Sequence, residues 1–258
     1  MDNTGEQSYK PEPYWSEVAK RIKARGERNL IAGDDEPFYR YKRAEFLRML
    51  NEVGWKGKTV LEIGSGPGGN LIEIHKHEPK RLADADISAE MITLAKSNTP
   101  PGIEFFRTNG MDLPFRDKEF DVCFTATVLQ HNTDEAMLSR LIGEICRVCN
   151  EDVYIFERVE KSIKGDELCY GRPVQYYAEL FNTHGFELSS TSFINIQISY
   201  LVCGAIRKIF NPSGRKEGEP LTGISVLLQK ISLPVTSFLD KIFRSDRDLC
   251  RIHFRRRT

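Results

Sequence analysis

The chain has 258 residues and a mass of 29.6 kDa, enough for one domain with an elaboration and for a core that needs no disulfides. Hydrophobic residues make up 40% and charged residues 29%, which excludes wholesale disorder. The formal net charge is zero, from 37 basic and 37 acidic residues, and this argues against a general polyanion binder.

The zero net charge conceals a basic end. Residues 205–258 carry 12 Lys and Arg against 5 Asp and Glu, so the rest of the chain is acidic. A basic end indicates a solvated face or contact with an anionic surface or substrate. The six cysteines lack metal-ligand spacing, since Cys146 and Cys149 have no second pair, and we expect no metal site. A polar N-terminus and the lack of a spanning apolar run predict a cytoplasmic protein.

In chain order, the hydrophobic pattern predicts short strands that alternate with helices. Helices are predicted over 14–28, 36–54, 69–78, 89–97, 134–148, 174–183 and 199–210, and strands over 59–63, 81–87, 103–108, 120–126, 153–157, 186–198 and 249–255. Such alternation is typical of βαβ units and a mostly parallel sheet. Ligands bind beyond the carboxyl ends of the strands in sheets of this kind, so the loops after the first four strands are the candidate site.

The first predicted strand leads directly into a glycine-rich loop, and residues 62–69 read EIGSGPGG. Glycines allow a sharp turn and a close approach of ligand to backbone. The following helix points its free N–H groups at that ligand. About 20 residues further on, the second strand ends in Asp86, where a carboxylate can accept both hydroxyls of a ribose. The pattern therefore predicts an adenosine-type nucleotide.

The spacing of Gly64, Gly66 and Gly69 also satisfies G-x-G-x-x-G, which is found in nicotinamide- and flavin-binding proteins. Glu62 argues against these cofactors, because a carboxylate at the strand tip would repel a pyrophosphate and hold an amino group. A helical segment of about 50 residues also precedes the loop, whereas dinucleotide folds usually start at once. The residues favour a ligand that carries an amino group.

Four motifs in order resemble those of class I S-adenosylmethionine-dependent methyltransferases of the small-molecule branch. Residues 60–68 (VLEIGSGPG) resemble the first motif, and the segment from Asp86 to Ala95 resembles the second. Asp112-Leu-Pro-Phe, followed by Phe120-Asp-Val, resembles the signature around the third and fourth strands, and residues 127–131 (TVLQH) resemble the segment after the fourth strand.

The resemblance implies an α/β, Rossmann-like, doubly wound seven-strand sheet. It also implies an N-terminal helical cap over 1–54, a cofactor-binding core over 55–198, and a helical insertion with the final strand over 199–258. The cofactor would be S-adenosyl-L-methionine. Its implied binding residues are Glu62, Gly64, Ser65, Gly66, Gly68, Asp86, Ile87, Asn109, Gly110, Met111, Thr125 and Gln130.

Particular roles follow from the same resemblance. Glu62 would hold the methionine amino group, Asp86 the ribose hydroxyls, and Ile87 would flank the adenine. Asn109 stands where the family often has an acidic residue that meets the adenine amino group, and its amide oxygen can still accept. The N-terminal helices would close over the cofactor, and Tyr14, Trp15, Tyr39 and Tyr41 would shape the acceptor pocket or bury these helices.

The implied reaction is O-methylation of a hydroxylated small molecule: a natural product, a sugar or a lipid-linked acceptor. His131 is the candidate base, or else it caps a helix or satisfies a backbone group. Glu157 is a rival base or a substrate-hydroxyl acceptor, or else a surface partner of Arg158. Residues 170–176, with two tyrosines and Arg172, are expected to build the acceptor pocket.

Two functions of other classes remain open: a nicotinamide-dependent oxidoreductase, and a family member that binds S-adenosylmethionine without methylating. A nucleic-acid substrate is not expected, because no Asn/Asp-Pro-Pro-Tyr/Phe motif follows the fourth strand and no basic surface with interleaved aromatic residues is found.

Apolar residues at helical spacing mark one face of the segment 221–243, with Pro234 as an expected kink. They are Ile224, Leu227, Leu228, Ile231, Val235, Phe238, Leu239 and Ile242. Three arrangements remain open for this face: packing onto the sheet or the N-terminal helices, a homodimer seam or lid, and peripheral contact with a membrane.

Overall fold

The computed structural model describes residues 10–24, 30, 36–215, 219–244, 246 and 248–257. Its helices are α1 Pro11–Ala24, α2 Pro37–Leu50, α3 Gly69–His75, α4 Ala89–Asn98, α5 Glu135–Val148, α6 Val174–Thr183, α7 Gln197–Phe210 and α8 Gly223–Ile242. Its strands are β1 Thr59–Ile63, β2 Arg81–Asp86, β3 Glu104–Arg107, β4 Phe120–Ala126, β5 Cys149–Val159, β6 Lys164–Asp166, β7 Cys169–Gly171, β8 Phe186–Phe193 and β9 Asp248–Arg256. A short 3-10 turn spans Leu129–His131.

The central sheet has seven strands in the order β3-β2-β1-β4-β5-β9-β8. Neighbours from β3 to β5 run parallel, whereas β9 runs antiparallel to both β5 and β8. The predicted α/β class with a seven-strand, mostly parallel sheet is therefore confirmed. The strand order switches direction between β1 and β4, and ligands bind beyond the carboxyl ends of strands at such a switch point.

Alternating side chains of the central strands supply two cores, one on each face of the sheet. In β1, Val60 belongs to one core and Leu61 and Ile63 to the other, because successive side chains point to opposite faces. Helices α5 and α6 cover the face that holds Leu61, and α2 and α3 cover the face that holds Val60. Burial on both faces explains why β1 is an unbroken apolar run except for Glu62.

The two N-terminal helices pack in different places. Helix α2 belongs to the core beside α3, whereas α1 packs on α4 through Val18, Ala19, Ile22 and Met91. The Ser16 hydroxyl lies 3.0 Å from the hydroxyl of Ser88, the residue that caps α4. This arrangement holds α1 over the carboxyl end of β2. Of the predicted first helix, residues 25–28 lie outside the described part of the chain.

Two local predictions were wrong. The predicted strand over 186–198 ends at Phe193, since Ile194 and Ile196 turn into the core beside α2 and α7 begins at Gln197. The β6–β7 pair was not predicted at all, because three-residue strands carry too few residues for an alternation to show.

Of the three arrangements left open for the C-terminal apolar face, packing onto the sheet or the N-terminal helices is wrong, because α8 packs on the protein through its polar side. Its buried residues are Ser225, Gln229, Thr236 and Asp240. Six of the eight predicted face residues are more than half exposed, and Leu228 and Leu239 are half-buried. Hydrogen bonds explain this orientation: Gln229 bonds the backbone N–H of Phe38, and Asp240 accepts from the N–H groups of Ile198 and Ser199.

No helix among the described residues has the length and apolar character needed to cross a membrane. All six cysteines are free thiols, and five of them are buried.

Candidate functional site

A cavity of about 440 Å³ opens at the carboxyl ends of β1, β2 and β4. Its walls come from α1, α2, the glycine loop, the loops after β2 and β3, and the 3-10 turn. Eight of the predicted site residues line it: Gly64, Ser65, Gly66, Asp86, Ile87, Gly110, Gln130 and His131. A volume of this size suits a ligand of cofactor dimensions.

The glycine loop follows β1 with a backbone that only glycine adopts easily. Gly64 has a φ of +75°, and a Cβ there would lie 2.6 Å from Cγ2 of Val128. Its N–H donates to the carbonyl oxygen of Ala85, 2.9 Å away, which joins the loop to β2. Gly68 forms the left-handed N-cap of α3 and does not line the cavity. The loop is therefore a tight turn that exposes backbone rather than side chains to the cavity.

Glu62 lies in β1 two residues before Gly64, is fully buried and does not line the cavity. Asn70 Nδ2 donates to Glu62 Oε1 over 2.7 Å, while Glu62 Oε2 has no hydrogen-bond partner. Burial raises the pKa of Glu62 to about 8, against the opposing effects of Asn70 and the Arg43 charge. The carboxyl is thus costly to ionise and has one oxygen in need of a donor.

Two further carboxyls of β2 adjoin Glu62. Asp84 is its direct neighbour in the β1–β2 register; its Oδ1 accepts from the N–H of Ser65, and its Oδ2 has no partner. Burial, followed by the charges of Asp86 and Glu62, raises the pKa of Asp84. Asp86 lines the cavity and accepts from the N–H of Ser88, 2.8 Å away, and burial raises its pKa to about 6. Three carboxyls therefore share one poorly solvated corner.

One half-buried cation lies beside this corner. Arg43 of α2 lines the cavity and donates from Nη1 to Oδ1 of Asn70, the residue that also holds Glu62. Burial lowers the pKa of Arg43 to about 10, with the charges of Glu62 and Glu73 opposing the shift. The sequence pattern did not predict a role for Arg43, Asn70 or Asp84. For Asp84 the signal was present, because residues two apart in a strand point to the same face.

His131 lines the cavity at the end of the 3-10 turn, where its ring meets that of Trp15 edge-on with 5.0 Å between centroids. Its Nδ1 lies 2.8 Å from the carbonyl oxygen of Leu168, which can only accept, so Nδ1 carries the proton. The Nε2 lone pair faces Nε2 of Gln130 at 3.3 Å. Burial lowers the pKa of His131, and this favours the neutral ring that a base needs.

Glu157, the other catalytic candidate, does not reach the cavity. Its fully buried carboxylate accepts from Thr125 Oγ1 and from the N–H groups of Val128, Leu129 and Gln130, at 3.0 to 3.1 Å. It thus holds the 3-10 turn that carries His131. Thr125 is buried beside it and does not line the cavity either.

The alternative of a surface pair between Glu157 and Arg158 is wrong, because Arg158 pairs with Glu160.

Asn109 and Met111 do not line the cavity. The Asn109 amide is engaged in its own loop, with Oδ1 accepting from the N–H groups of Met111 and Asp112. Gly110, which lies between Asn109 and Met111, does line the cavity. A Cβ at position 110 would lie only 2.8 Å from Cδ1 of Ile87, so the glycine leaves room for the Ile87 side chain.

The residues expected to build an acceptor pocket, Tyr170, Arg172, Gln175 and Tyr176, do not line the cavity. Arg172 is fully buried and instead holds the carbonyl oxygens of Leu129 and Asn132. Among the aromatic residues of the N-terminal helices, Trp15 and Tyr39 line the cavity, whereas the Tyr41 hydroxyl donates to Asp240 of α8.

Comparison with known proteins agrees with this geometry. Residues 60–152 match the family model of a methyltransferase domain. The chain is 29% identical over 110 residues to O-methyltransferase rstn1 of Aspergillus nomiae NRRL, a match that covers 39% of this chain and 49% of that protein. It is 30% identical over 154 residues to demethylmenaquinone methyltransferase of Porphyromonas gingivalis, covering 54% of this chain and 61% of that protein.

Among solved structures, magnesium protoporphyrin IX methyltransferase of Synechocystis PCC 6803 with bound SAH superposes with a TM-score of 0.60 at 13% identity, covering 96% of this chain and 98% of that one. This likeness extends the shared fold over nearly the whole chain. The present chain spans about half to three fifths of the length of the two curated relatives it matches.

The buried Glu62 predicts a pH-dependent stability difference for the Glu62→Gln variant. The folded-state pKa of about 8 lies above the ordinary 4.5, so folding favours the protonated carboxyl, and wild-type protein loses stability as the pH rises toward and through 8. Glutamine has no charge to desolvate. The melting temperature of the variant minus that of wild type should therefore become more positive from pH 6 to pH 9.

The exposed Glu187→Gln variant is the matched control, and its difference from wild type should stay constant over the same range. Thermal unfolding followed by circular dichroism at pH 6, 7.5 and 9 measures both. A pH-independent difference for Glu62→Gln would contradict the burial of an ionisable group at this position.

Proposed function

We propose that this chain is a class I S-adenosylmethionine-dependent methyltransferase and that it transfers the methyl group of that cofactor to a hydroxyl of a small-molecule acceptor. The observation that carries the proposal is the cluster of three buried carboxyls, Glu62, Asp84 and Asp86, of which Asp86 lines the cavity and the other two lie on the strands β1 and β2 that lead to it. Two of them have an oxygen without a hydrogen-bond partner.

The charge of the cofactor fits this corner. Each of the three carboxyls has a raised pKa, with burial as the largest cause. A ligand that brings an ammonium and a sulfonium would favour the ionised carboxylates, because an opposite charge nearby stabilises the charged form. A pyrophosphate would add like charge instead. The corner therefore supports S-adenosylmethionine over a nicotinamide dinucleotide.

The residues present fit the parts of the cofactor. Glu62 Oε2 would accept from the methionine amino group, and the half-buried Arg43, which lines the cavity, would pair with the methionine carboxylate. Asp86 would accept from the ribose hydroxyls, and Ile87 and Gly110 would flank the adenine. When bound, the cofactor supplies a methyl group that its sulfonium already activates.

For the acceptor, the cavity offers a wall that is largely aromatic and aliphatic, with Trp15, Tyr39, Met137 and Leu141 among its residues. Such a wall suits a ring or another apolar framework and excludes water from the reacting groups. Two of the curated relatives are named as O-methyltransferases, which supports a hydroxyl acceptor.

The six free cysteines of the chain fit a reducing compartment such as the cytoplasm.

His131 would take the proton of the acceptor hydroxyl. The Leu168 carbonyl fixes the proton on Nδ1, so the lone pair of Nε2 is the basic site. Gln130 fixes the ring from the other side, and its own Oε1 accepts from the backbone N–H of Arg158, 3.0 Å away. Glu157 would act as a positioning residue, since it holds three N–H groups of the turn.

Calorimetry tests the cofactor assignment. S-adenosylmethionine and S-adenosylhomocysteine should bind wild-type protein at one site, whereas NADH should give no binding heat. Asp86→Asn, which keeps the size of the side chain and removes its charge, should weaken binding about tenfold or more, as expected for hydrogen bonds to a charged group. Binding of NADH without S-adenosylhomocysteine would favour the oxidoreductase alternative and overturn the proposal.

His131→Ala should lower turnover about 10²- to 10⁴-fold while cofactor affinity changes little, because general-base catalysis contributes on this scale. Formation of S-adenosylhomocysteine over a library of hydroxylated acceptors measures turnover. The lowered pKa of His131 predicts that wild-type kcat holds down to pH 6.5 and falls only below it, as the ring gains a proton. Exposed His75→Ala is the control.

Full turnover by His131→Ala would show that His131 is not the general base. Cofactor binding without methyl transfer to any acceptor class would favour the non-methylating alternative.

A further inference from the structure

The outer face of α8 is an apolar stripe of six side chains that nothing covers in the described part of the chain. They are each 56% to 64% exposed: Ile224, Leu227, Ile231, Val235, Phe238 and Ile242. Their spacing of three and four residues places them on one side of the helix, over a length of about 27 Å at 1.5 Å per residue. Phe243, 55% exposed, adjoins the stripe at the end of the helix.

The outward direction of the stripe is set by hydrogen bonds on the opposite side of α8. Asp240 is fully buried and accepts from the N–H of Ile198, 2.7 Å away, and from the Ser199 hydroxyl, 2.5 Å away. Gln229 is fully buried and donates to Glu36 over 2.9 Å. Turning the helix to bury its apolar stripe would leave these polar groups without partners, which is unfavourable. The exposure is therefore a fixed feature of the fold.

The exposed charged residues of α7, of α8 and of the two residues that follow α8 are all basic. Lys208, Lys230, Lys241 and Arg244 are exposed and form no ion pair with any residue that the structure describes. The acid that the two helices carry is Asp240, which is buried. An apolar stripe flanked by unpaired cations is typical of a helix that lies in the interface of an anionic bilayer.

We propose that α8 docks this protein on the surface of an anionic lipid bilayer. The stripe would enter the boundary between headgroups and acyl chains, and the exposed lysines would meet the anionic headgroups. The helix would lie flat rather than cross, since no described helix is long and apolar enough to span a membrane.

A second copy of the chain fits this surface less well than lipid does. A two-fold interface centred on the stripe would bring the lysines of one α8 toward those of the other. Neither α7 nor α8 has an exposed acidic residue to pair with them. Anionic headgroups supply the missing opposite charge, so charge complementarity selects the bilayer.

Co-sedimentation with vesicles tests the proposal. Wild-type protein should pellet with phosphatidylcholine vesicles that contain 30% phosphatidylglycerol and should pellet much less with phosphatidylcholine alone. Ile231→Ser/Phe238→Ser should lower the partition coefficient more than tenfold. Lys230→Gln/Lys241→Gln should lower it about 25-fold on the anionic vesicles, at roughly fivefold per cation, and the effect should shrink at high salt.

The matched control is Ile163→Ser/Leu188→Ser, which removes two aliphatic side chains that are 50% and 41% exposed elsewhere on the surface. This variant should pellet like wild type. Cofactor binding by calorimetry should be equal in all variants, which shows that each is folded and makes the test independent of the proposed reaction.

Two results would overturn the proposal. One is wild-type protein that stays in the supernatant with anionic vesicles at low salt. The other is a dimer in sedimentation velocity that Ile231→Ser/Phe238→Ser dissociates while vesicle binding is unchanged, since that would assign the stripe to a second copy.

Discussion

The interaction on which the site depends is the mutual repulsion of three carboxyls in a corner with little water. Glu62 and Asp84 are fully buried neighbours across β1 and β2, and Asp86 follows two residues later on the same strand. Desolvation alone makes such groups hard to ionise, and proximity makes it harder. Ionisation of the three carboxyls becomes more favourable when a cation enters the corner. The tight turn at Gly64 and the backbone donors around Asp86 serve to hold that arrangement open to a ligand.

Helices α2 and α1 lie on opposite sides of the cavity, and α2 is the one beside the three carboxyls. Arg43 on α2 is the one cation whose charge favours ionisation of Glu62, and it reaches the same Asn70 that bonds Glu62. Helix α1 closes the opposite side with Trp15 against His131. The charged end of the cavity thus lies by β1 and β2, and the basic nitrogen lies across from it by β4. A ligand that binds at one end and reacts at the other matches this division.

The parts of the site that the sequence predicted are those set by local pattern. Glu62 is the last residue but one of β1 and Asp86 is the last residue of β2, each just before a turn, so their places followed from strand boundaries. The side chains of Asn109 and Glu157 depend on contacts that no local pattern shows. Asn109 folds onto its own loop, and Glu157 faces a turn about 28 residues earlier because β5 pairs with β4. The positions of Asn109 and Glu157 away from the cavity have this common cause.

For the C-terminal helix too, the local sequence predicted one feature, and residues far away in sequence decide another. Its periodicity predicted the helix and the apolar stripe correctly. The direction of the stripe could not be predicted, because an amphipathic helix has the same pattern whether its apolar side meets a core or a membrane. Partners far away in sequence decide it: Glu36 and Phe38 bind Gln229 about 190 residues later.

Proton release on cofactor binding is the most direct measurement of the central claim. Most Glu62 side chains carry a proton at pH 7, because the pKa is about 8, and an ammonium beside the carboxyl favours its ionised form. Titrations of S-adenosylmethionine in buffers of different ionisation enthalpy should show release of about half a proton or more per site at pH 7. Glu62→Gln should release far less. Binding with no net proton exchange, or with uptake, would contradict the carboxyl corner as the cofactor's anchor.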